Sequence, residues 1–141
     1  MAQEITFAMI KPDAVAAKNA GKIIDMIEQN GFTILGMRKV TMSPAKAHEL
    51  YAEHKEKPFF GEMVSFITSA PIVIMALSKD NAIKAWRDLM GATNPAQAAE
   101  GTIRKQFGKN IGNNAVHGSD SEQSAARELG IFFAEELAAM K

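Results

Sequence analysis

Pro71-Ile72-Val73-Ile74-Met75-Ala76-Leu77 is an unbroken apolar run opened by a proline. It is short for a buried helix and has no polar side to show to water. It reads as a strand covered on both faces, at the centre of a sheet. Ile5-Thr6-Phe7-Ala8-Met9-Ile10 has the same character and ends at Lys11-Pro12-Asp13, where Pro12 stops the strand and opens a helical turn. Phe32 to Met42 alternates enough for another strand, with Gly36 marking a bulge or a close contact. Asn114-Ala115-Val116-His117-Gly118 brings small apolar residues into a histidine and reads as a short fourth strand. Gly118 permits a turn or a backbone approach that a Cβ would block.

Helical patterns fill the intervals. Gly21 to Asn30 puts Ile23, Ile24 and Ile27 on one face, and Gly31 ends it. Ser43-Pro44 caps and opens a helix carrying Ala47, Leu50 and Tyr51. Glu62 to Thr68 is a further helix. Ser78 or Asp80 caps one that runs through Met90, with Ile83, Trp86, Leu89 and Met90 as its stripe and Gly91 as its stop. Ser119 and Glu122 form a capping box for a last helix to Leu129, ended by Gly130. Ala92 to Asn113 reads as long and irregular, a feature that in compact domains goes with function or disorder. The order is the split βαβ pattern, twice over. It predicts an α+β, ferredoxin-like sandwich: a four-stranded antiparallel sheet with helices packed on one face.

At 141 residues, residues 1–141 form one domain with room for a proper core. Sixteen basic and sixteen acidic side chains cancel, so no global field recruits nucleic acid or membrane. An anion site must be a local cluster. The absence of cysteine excludes disulfides, thiolate metal sites and cysteine nucleophiles. Met1-Ala2-Gln3-Glu4 shows no secretory signal, and no apolar run could span a bilayer, so a cytoplasmic protein is expected.

There is no GxxxxGK[ST] and no GxGxxG, so the usual phosphate cradles are missing. No metal site stands at motif spacing, and His48 and His54 read as surface histidines. Glu53 to Lys57 reads as a solvated charge run. Of the adjacent Phe59 and Phe60, one is a candidate exposed stacking platform. His117 is different: it ends a strand just ahead of a helix N-terminus, where backbone N–H groups and the helix dipole favour anions. A neutral imidazole there can accept a phosphoryl group without prior deprotonation. Lys11, Tyr51, Arg87, Thr93, Arg104 and Asn114 supply cations and hydrogen-bonding groups at element ends. In the ferredoxin-like layout the strands bearing Lys11 and His117 can be neighbours. One cation about 4 Å from a phosphate oxygen is worth about 4 kcal/mol at an effective dielectric near 20.

Lys11-Pro12-Asp13, Pro58-Phe59-Phe60, Arg87, Thr93-Asn94-Pro95, Gly101-Thr102-Ile103-Arg104 and Asn114-Ala115-Val116-His117-Gly118-Ser119-Asp120 together resemble the nucleoside diphosphate kinase family of bacterial type. The likeness covers essentially the whole chain. It implies transfer of the terminal phosphate of a nucleoside triphosphate (ATP, GTP and others) to a nucleoside diphosphate, through a phosphohistidine in two half-reactions. It implies Mg²⁺ bound through the nucleotide phosphates, with no protein metal ligand. By this resemblance His117 is the nucleophile, and Lys11, Arg87, Thr93 and Arg104 hold phosphates. Asn114 and Lys11 reach the ribose, Phe59 stacks on the base, and Ile111 closes its other side. Tyr51 and Glu128 orient the histidine region. Ala14 stands where the family often has glycine. A protein-to-protein histidine phosphocarrier has no reason for a nucleotide pocket. A nucleic-acid binder would use strand aromatics and a basic face. Neither describes this chain.

A homo-oligomer is expected, a tetramer before a dimer or a hexamer. Ile131-Phe132-Phe133 is awkward for a monomer to bury, the Phe32–Met42 strand is a candidate edge, and the tail stops at Lys141, short of a longer extension. Ala134, small and beside Glu135 and Glu136, would let subunits approach.

Overall fold

The structure is a computed structural model and describes residues 3–134. Strand β1 (Gln3–Ile10) leads through Lys11 into a short helix α1 (Pro12–Ala16) and then α2 (Ala20–Gln29). Strand β2 (Thr33–Val40) is followed by α3 (Pro44–Leu50) and α4 (Phe60–Ile67). Strand β3 (Ile72–Asp80) leads to α5 (Ala82–Met90), α6 (Ile103–Phe107), β4 (Val116–Gly118) and α7 (Glu122–Phe132). The sheet order is β2-β3-β1-β4, and every pairing is antiparallel. This is the expected four-stranded α+β architecture. The bulge marked by Gly36 is present: pairing of β2 with β3 shifts between Ile34 and Gly36.

The helices do not keep to one face. β1 and β3 are buried along most of their length, so both sides of the sheet need cover. Alternate residues serve the two sides, as the two-residue period of a strand requires. Ala8, Ile10, Val73, Met75 and Leu77 meet Ile23 and Ile27 of α2 and Trp86 of α5. Phe7, Met9, Ile72, Ile74 and Ala76 meet Ala47 and Leu50 of α3, Ile67 of α4, and Ala125 and Leu129 of α7.

Several local expectations are corrected. β3 continues to Asp80, so neither Ser78 nor Asp80 caps α5. Its N-cap is Asn81, in the left-handed region at φ 53°, and the carboxylate of Glu4 accepts from Ile83 N–H across the sheet. Ser121 caps α7 by accepting from Ser124 N–H, because Ser119 is turned inward. Gly130 does not end α7, which runs on to Phe132. The stretch from Ala92 to Asn113 is not wholly irregular: it holds α6 and a 3-10 turn at Pro95–Gln97. His54 is half-buried, with Nδ1 away from solvent. The monomer also absorbs its last apolar run. Phe133 is fully buried and Phe132 stacks on Phe7 at 5.0 Å. Those rings give no argument for assembly. Glu135 and Glu136 lie outside the described residues.

Candidate active site

Strand pairing makes the site. Met9 lies opposite His117 and Ile10 opposite Val116, so the end of β1 delivers Lys11 beside the end of β4. Lys11 N–H donates to Ala115 O at 2.8 Å, and Lys11 Nζ donates to Asn114 Oδ1 at 2.9 Å. Asn114 Nδ2 donates to Thr93 O at 3.0 Å, which ties in the loop after α5. Arg104, on α6, is buried and donates to Gly91 O at 3.0 Å and Val116 O at 2.9 Å. α6 can present it because Thr102 caps the helix, accepting from Lys105 N–H.

Lys11, Tyr51, Phe59, Thr93, Arg104, Ile111, Asn114 and His117 line one cleft of about 650 Å³. Eight of the ten residues predicted from sequence thus converge. Glu128 lies behind the histidine: His117 Nε2 stands 2.9 Å from Glu128 Oε1. Arg87 does not line this cleft. It is exposed on α5 and borders an adjoining hollow of about 560 Å³, which shares Thr93 and Arg104 with the cleft. Phe59 is 44% exposed and Ile111 61%, while Phe60 is half-buried, so the stacking candidate is Phe59.

The histidine is fixed from three sides. Ser119 Oγ donates to the same Glu128 oxygen at 3.1 Å. Trp86 Nε1 donates to His117 O at 3.2 Å. The Tyr51 ring stands edge-on to the imidazole, with centroids 6.2 Å apart. Gly118 allows this approach, since a Cβ there would overlap the Trp86 ring. Burial raises the Tyr51 hydroxyl well above its ordinary range, and the Glu128 carboxylate adds to the effect, so Tyr51 stays neutral. Burial lowers Lys11 to about 8; the Arg104 guanidinium pushes the same way and Asp13 opposes. Burial lowers Arg104 to about 10, still charged at neutral pH.

Sequence reasoning gave no place in the site to Glu62, Met63, Phe66, Gly112, Asn113 or Ser119. Met63 and Phe66 line the cleft from α4, and a signal existed: Phe59, Met63 and Phe66 fall on one helical face. Ser119 was assigned to a cap, which hid its bond to Glu128.

These groups can hold an anion with several charges in front of a positioned imidazole, beside an apolar wall. The nucleoside diphosphate kinase family model matches residues 4–137. The nucleoside diphosphate kinase of Trichlorobacter lovleyi is 55% identical over 130 residues, 92% of this chain and 94% of that protein. That of Geotalea uraniireducens is 54% identical over 132 residues, covering 94% and 96%. Among solved structures, the Aquifex aeolicus nucleoside diphosphate kinase superposes with a TM-score of 0.92 at 41% identity, covering 94% of this chain and 96% of that one. A halophilic nucleoside diphosphate kinase from Halobacterium salinarum, in complex with CDP, gives 0.90 at 42%, covering 94% and 88%. With this fold, this cleft and these relatives, the chain belongs to the nucleoside diphosphate kinase family and is a phosphotransferase.

Proposed function

We propose that the chain moves the terminal phosphate of a nucleoside triphosphate to a nucleoside diphosphate through a phosphohistidine on His117, by ping-pong kinetics. The observation that carries this is the 2.9 Å contact of His117 Nε2 with Glu128 Oε1. A carboxylate only accepts, so the proton sits on Nε2 and the lone pair on Nδ1. Nδ1 has no hydrogen-bond partner among the described residues. In the first half-reaction that lone pair forms the N–P bond. The bond from phosphorus to the bridging oxygen breaks, and the diphosphate leaves with its electron pair. Glu128 faces the imidazolium that results and stabilises its charge. In the second half-reaction a terminal oxygen of the incoming diphosphate attacks phosphorus, and the pair returns to Nδ1.

Lys11, Arg104, Thr93 and Arg87 hold the phosphates, the last from the adjoining hollow. Asn114 with Lys11 meets the ribose, and Tyr51 packs the imidazole in place. Such positioning and charge are most of what phosphoryl transfer needs from a protein. Among the described residues no group of three or more His, Asp or Glu side chains could hold a metal ion. By the family resemblance Mg²⁺ would be held by the nucleotide's phosphates, where it would neutralise charge on their oxygens. Phe59 and Ile111 offer a base an aromatic face and apolar contact, which every base satisfies, so we expect broad base specificity. The CDP bound by the Halobacterium salinarum relative supports a nucleotide as the occupant.

The test is mass spectrometry after mixing with ATP and Mg²⁺, with an acid-labile phosphate expected on His117. His117→Ala should lose at least ~10³-fold in turnover, since no other imidazole lines the cleft among the described residues. Labelling at His48 or His54 sinks the assignment.

We also infer a homo-oligomer, in which, by the family resemblance, dimers associate further. β2 is an edge of the sheet and exposes Leu35 and Met37 at 37% and 48%, an edge that a symmetry mate can pair. Light scattering that finds a monomer at micromolar concentration defeats this. No helix among the described residues is long and apolar enough to cross a membrane; we place the protein in the cytoplasm.

A further inference from the structure

We infer that Asp13 is a positioning residue for the phosphoryl transfer: its carboxylate clamps a strained turn that aims both Asn114 and His117 into the cleft. This rests on the phosphohistidine reading above.

Ala115 has φ 74°. That region costs an alanine, whose Cβ then crowds the backbone. Val116 N–H donates back to Asn114 O at 2.9 Å across it. The result is a γ-turn in its rare positive-φ form. Asn114, Ala115 and Val116 are all buried. Such a conformation lasts only where its surroundings over-determine it.

Here one segment does so. Lys11 N–H donates to Ala115 O at 2.8 Å, and Asp13 Oδ2 accepts from Ala115 N–H at 3.1 Å. Both backbone groups of the strained residue are therefore held by Lys11-Pro12-Asp13. Pro12 between the two holders has its φ fixed by its ring. Asp13 supplies the only side-chain bond to the centre of the turn among the described residues. Its other oxygen, Oδ1, is buried and has no hydrogen-bond partner among the described residues. An oxygen left in that state is a cost, so the carboxylate is not placed there for its own solvation.

The residues on either side carry the site. Asn114 receives Lys11 Nζ and reaches Thr93. Val116 gives its carbonyl to Arg104, and the next residue is His117. Relaxing Ala115 to negative φ would redirect the chain on both sides and move the imidazole and the amide together. A misplacement of about 1 Å is enough to cost on the order of 10²-fold in rate.

The experiment is rapid-quench phosphorylation of His117 by ATP and Mg²⁺ in single turnover. It compares wild type with Asp13→Asn, Asp13→Ala, Ala115→Gly and the double variant Asp13→Ala/Ala115→Gly. Asparagine keeps an acceptor for Ala115 N–H and should stay within about tenfold of wild type. Asp13→Ala should slow the step ~10²-fold. Glycine at 115 adopts positive φ freely, so the double variant should regain about tenfold, whereas Ala115→Gly alone gains nothing. General loss of stability would not be rescued by a glycine. Asp13→Ala at wild-type speed, or no rescue by the glycine, overturns the clamp. If Asp13→Ala does not fold, the double variant decides: folding and phosphorylation restored support the clamp, and failure of both overturns it. If wild type itself takes no phosphate on His117, the functional reading falls, and the role of Asp13 with it.

Discussion

Alkaline titration acts first on Lys11, and its effect on binding and on chemistry should separate. The ammonium titrates at about 8 in place of 10.5, chiefly because burial disfavours its charge, with Arg104 adding repulsion. That difference, 10.5 less about 8, is worth about 3 kcal/mol against the charged form. The folded value lies below the unfolded one. Between about pH 8 and 10.5 the folded state thus binds fewer protons, and the cost to stability, full below 8, fades as pH rises. Function runs the other way: the cation is present below about 8 and lost above it. A phosphate oxygen about 4 Å from Nζ contributes about 4 kcal/mol at an effective dielectric near 20, roughly three pH units. The bound lysine therefore stays charged to about pH 11. Since kcat/KM reports the free enzyme and kcat the complex, kcat/KM for the triphosphate should bend down near pH 8 while kcat stays level to about pH 10. Lys11→Arg should move the bend upward, because a guanidinium keeps its proton there. Steady-state rates across this range, with Mg²⁺ saturating, provide the assay. A level kcat/KM through about pH 9.5, or an identical bend in Lys11→Arg, would refute the reasoning.

Gly118→Ala should destabilise the fold by about 2–4 kcal/mol, because the new Cβ overlaps the buried Trp86 ring, meets Met90 Cε at 2.9 Å and threatens the Trp86–His117 bond. The urea midpoint measures it, and a loss below ~1 kcal/mol means the indole can move aside. Phe59→Ala would remove the proposed stacking contact, worth about 1–3 kcal/mol, so KM should rise roughly fivefold to a hundredfold for adenine, guanine, cytosine and uracil diphosphates alike. A rise confined to one base would show that a base-edge reader exists.

The fold was legible because its pattern is two-sided. Ile72 to Leu77 and Ile5 to Ile10 are apolar at every register position save Thr6, and no half-exposed strand reads that way. The same fact calls for helices on both faces, whereas the split βαβ order by itself says nothing of the second face. The cleft was legible because its members sit at punctuation: Lys11 before Pro12, Thr93 before Asn94-Pro95, His117 before Gly118. Caps were not. Ser119 and Ser121 are equally good N-caps by composition, and only the buried carboxylate of Glu128 decides between them by drawing Ser119 inward. The strain at Ala115 was hidden as well, since alanine carries no local mark of positive φ as glycine or asparagine does.

The chain has no net charge, so its affinity for a polyanion must come from how its charges are partnered. Among the described residues, Lys11 and Arg104 hydrogen-bond only neutral oxygens: the Asn114 amide, and the carbonyls of Gly91 and Val116. Neutral acceptors fix a cation in place without cancelling its field, as a carboxylate at the same distance would. Burial lowers the proton affinity of both groups, with Arg104 adding to the effect at Lys11, and a bound phosphate would offset that cost. Of the acids in contact with these residues, Glu128 is spent on the far nitrogen of His117 and on Ser119, and Asp13 on the Ala115 N–H. The Glu128 carboxylate thus stands behind the imidazole, where an imidazolium formed by the proposed transfer would need it. Lys11 and Arg104 present positive charge in the cleft, where the proposed reaction would place the phosphates. Exchanging Asn114 for aspartate would break that separation, because Lys11 would then spend its charge on a neighbour.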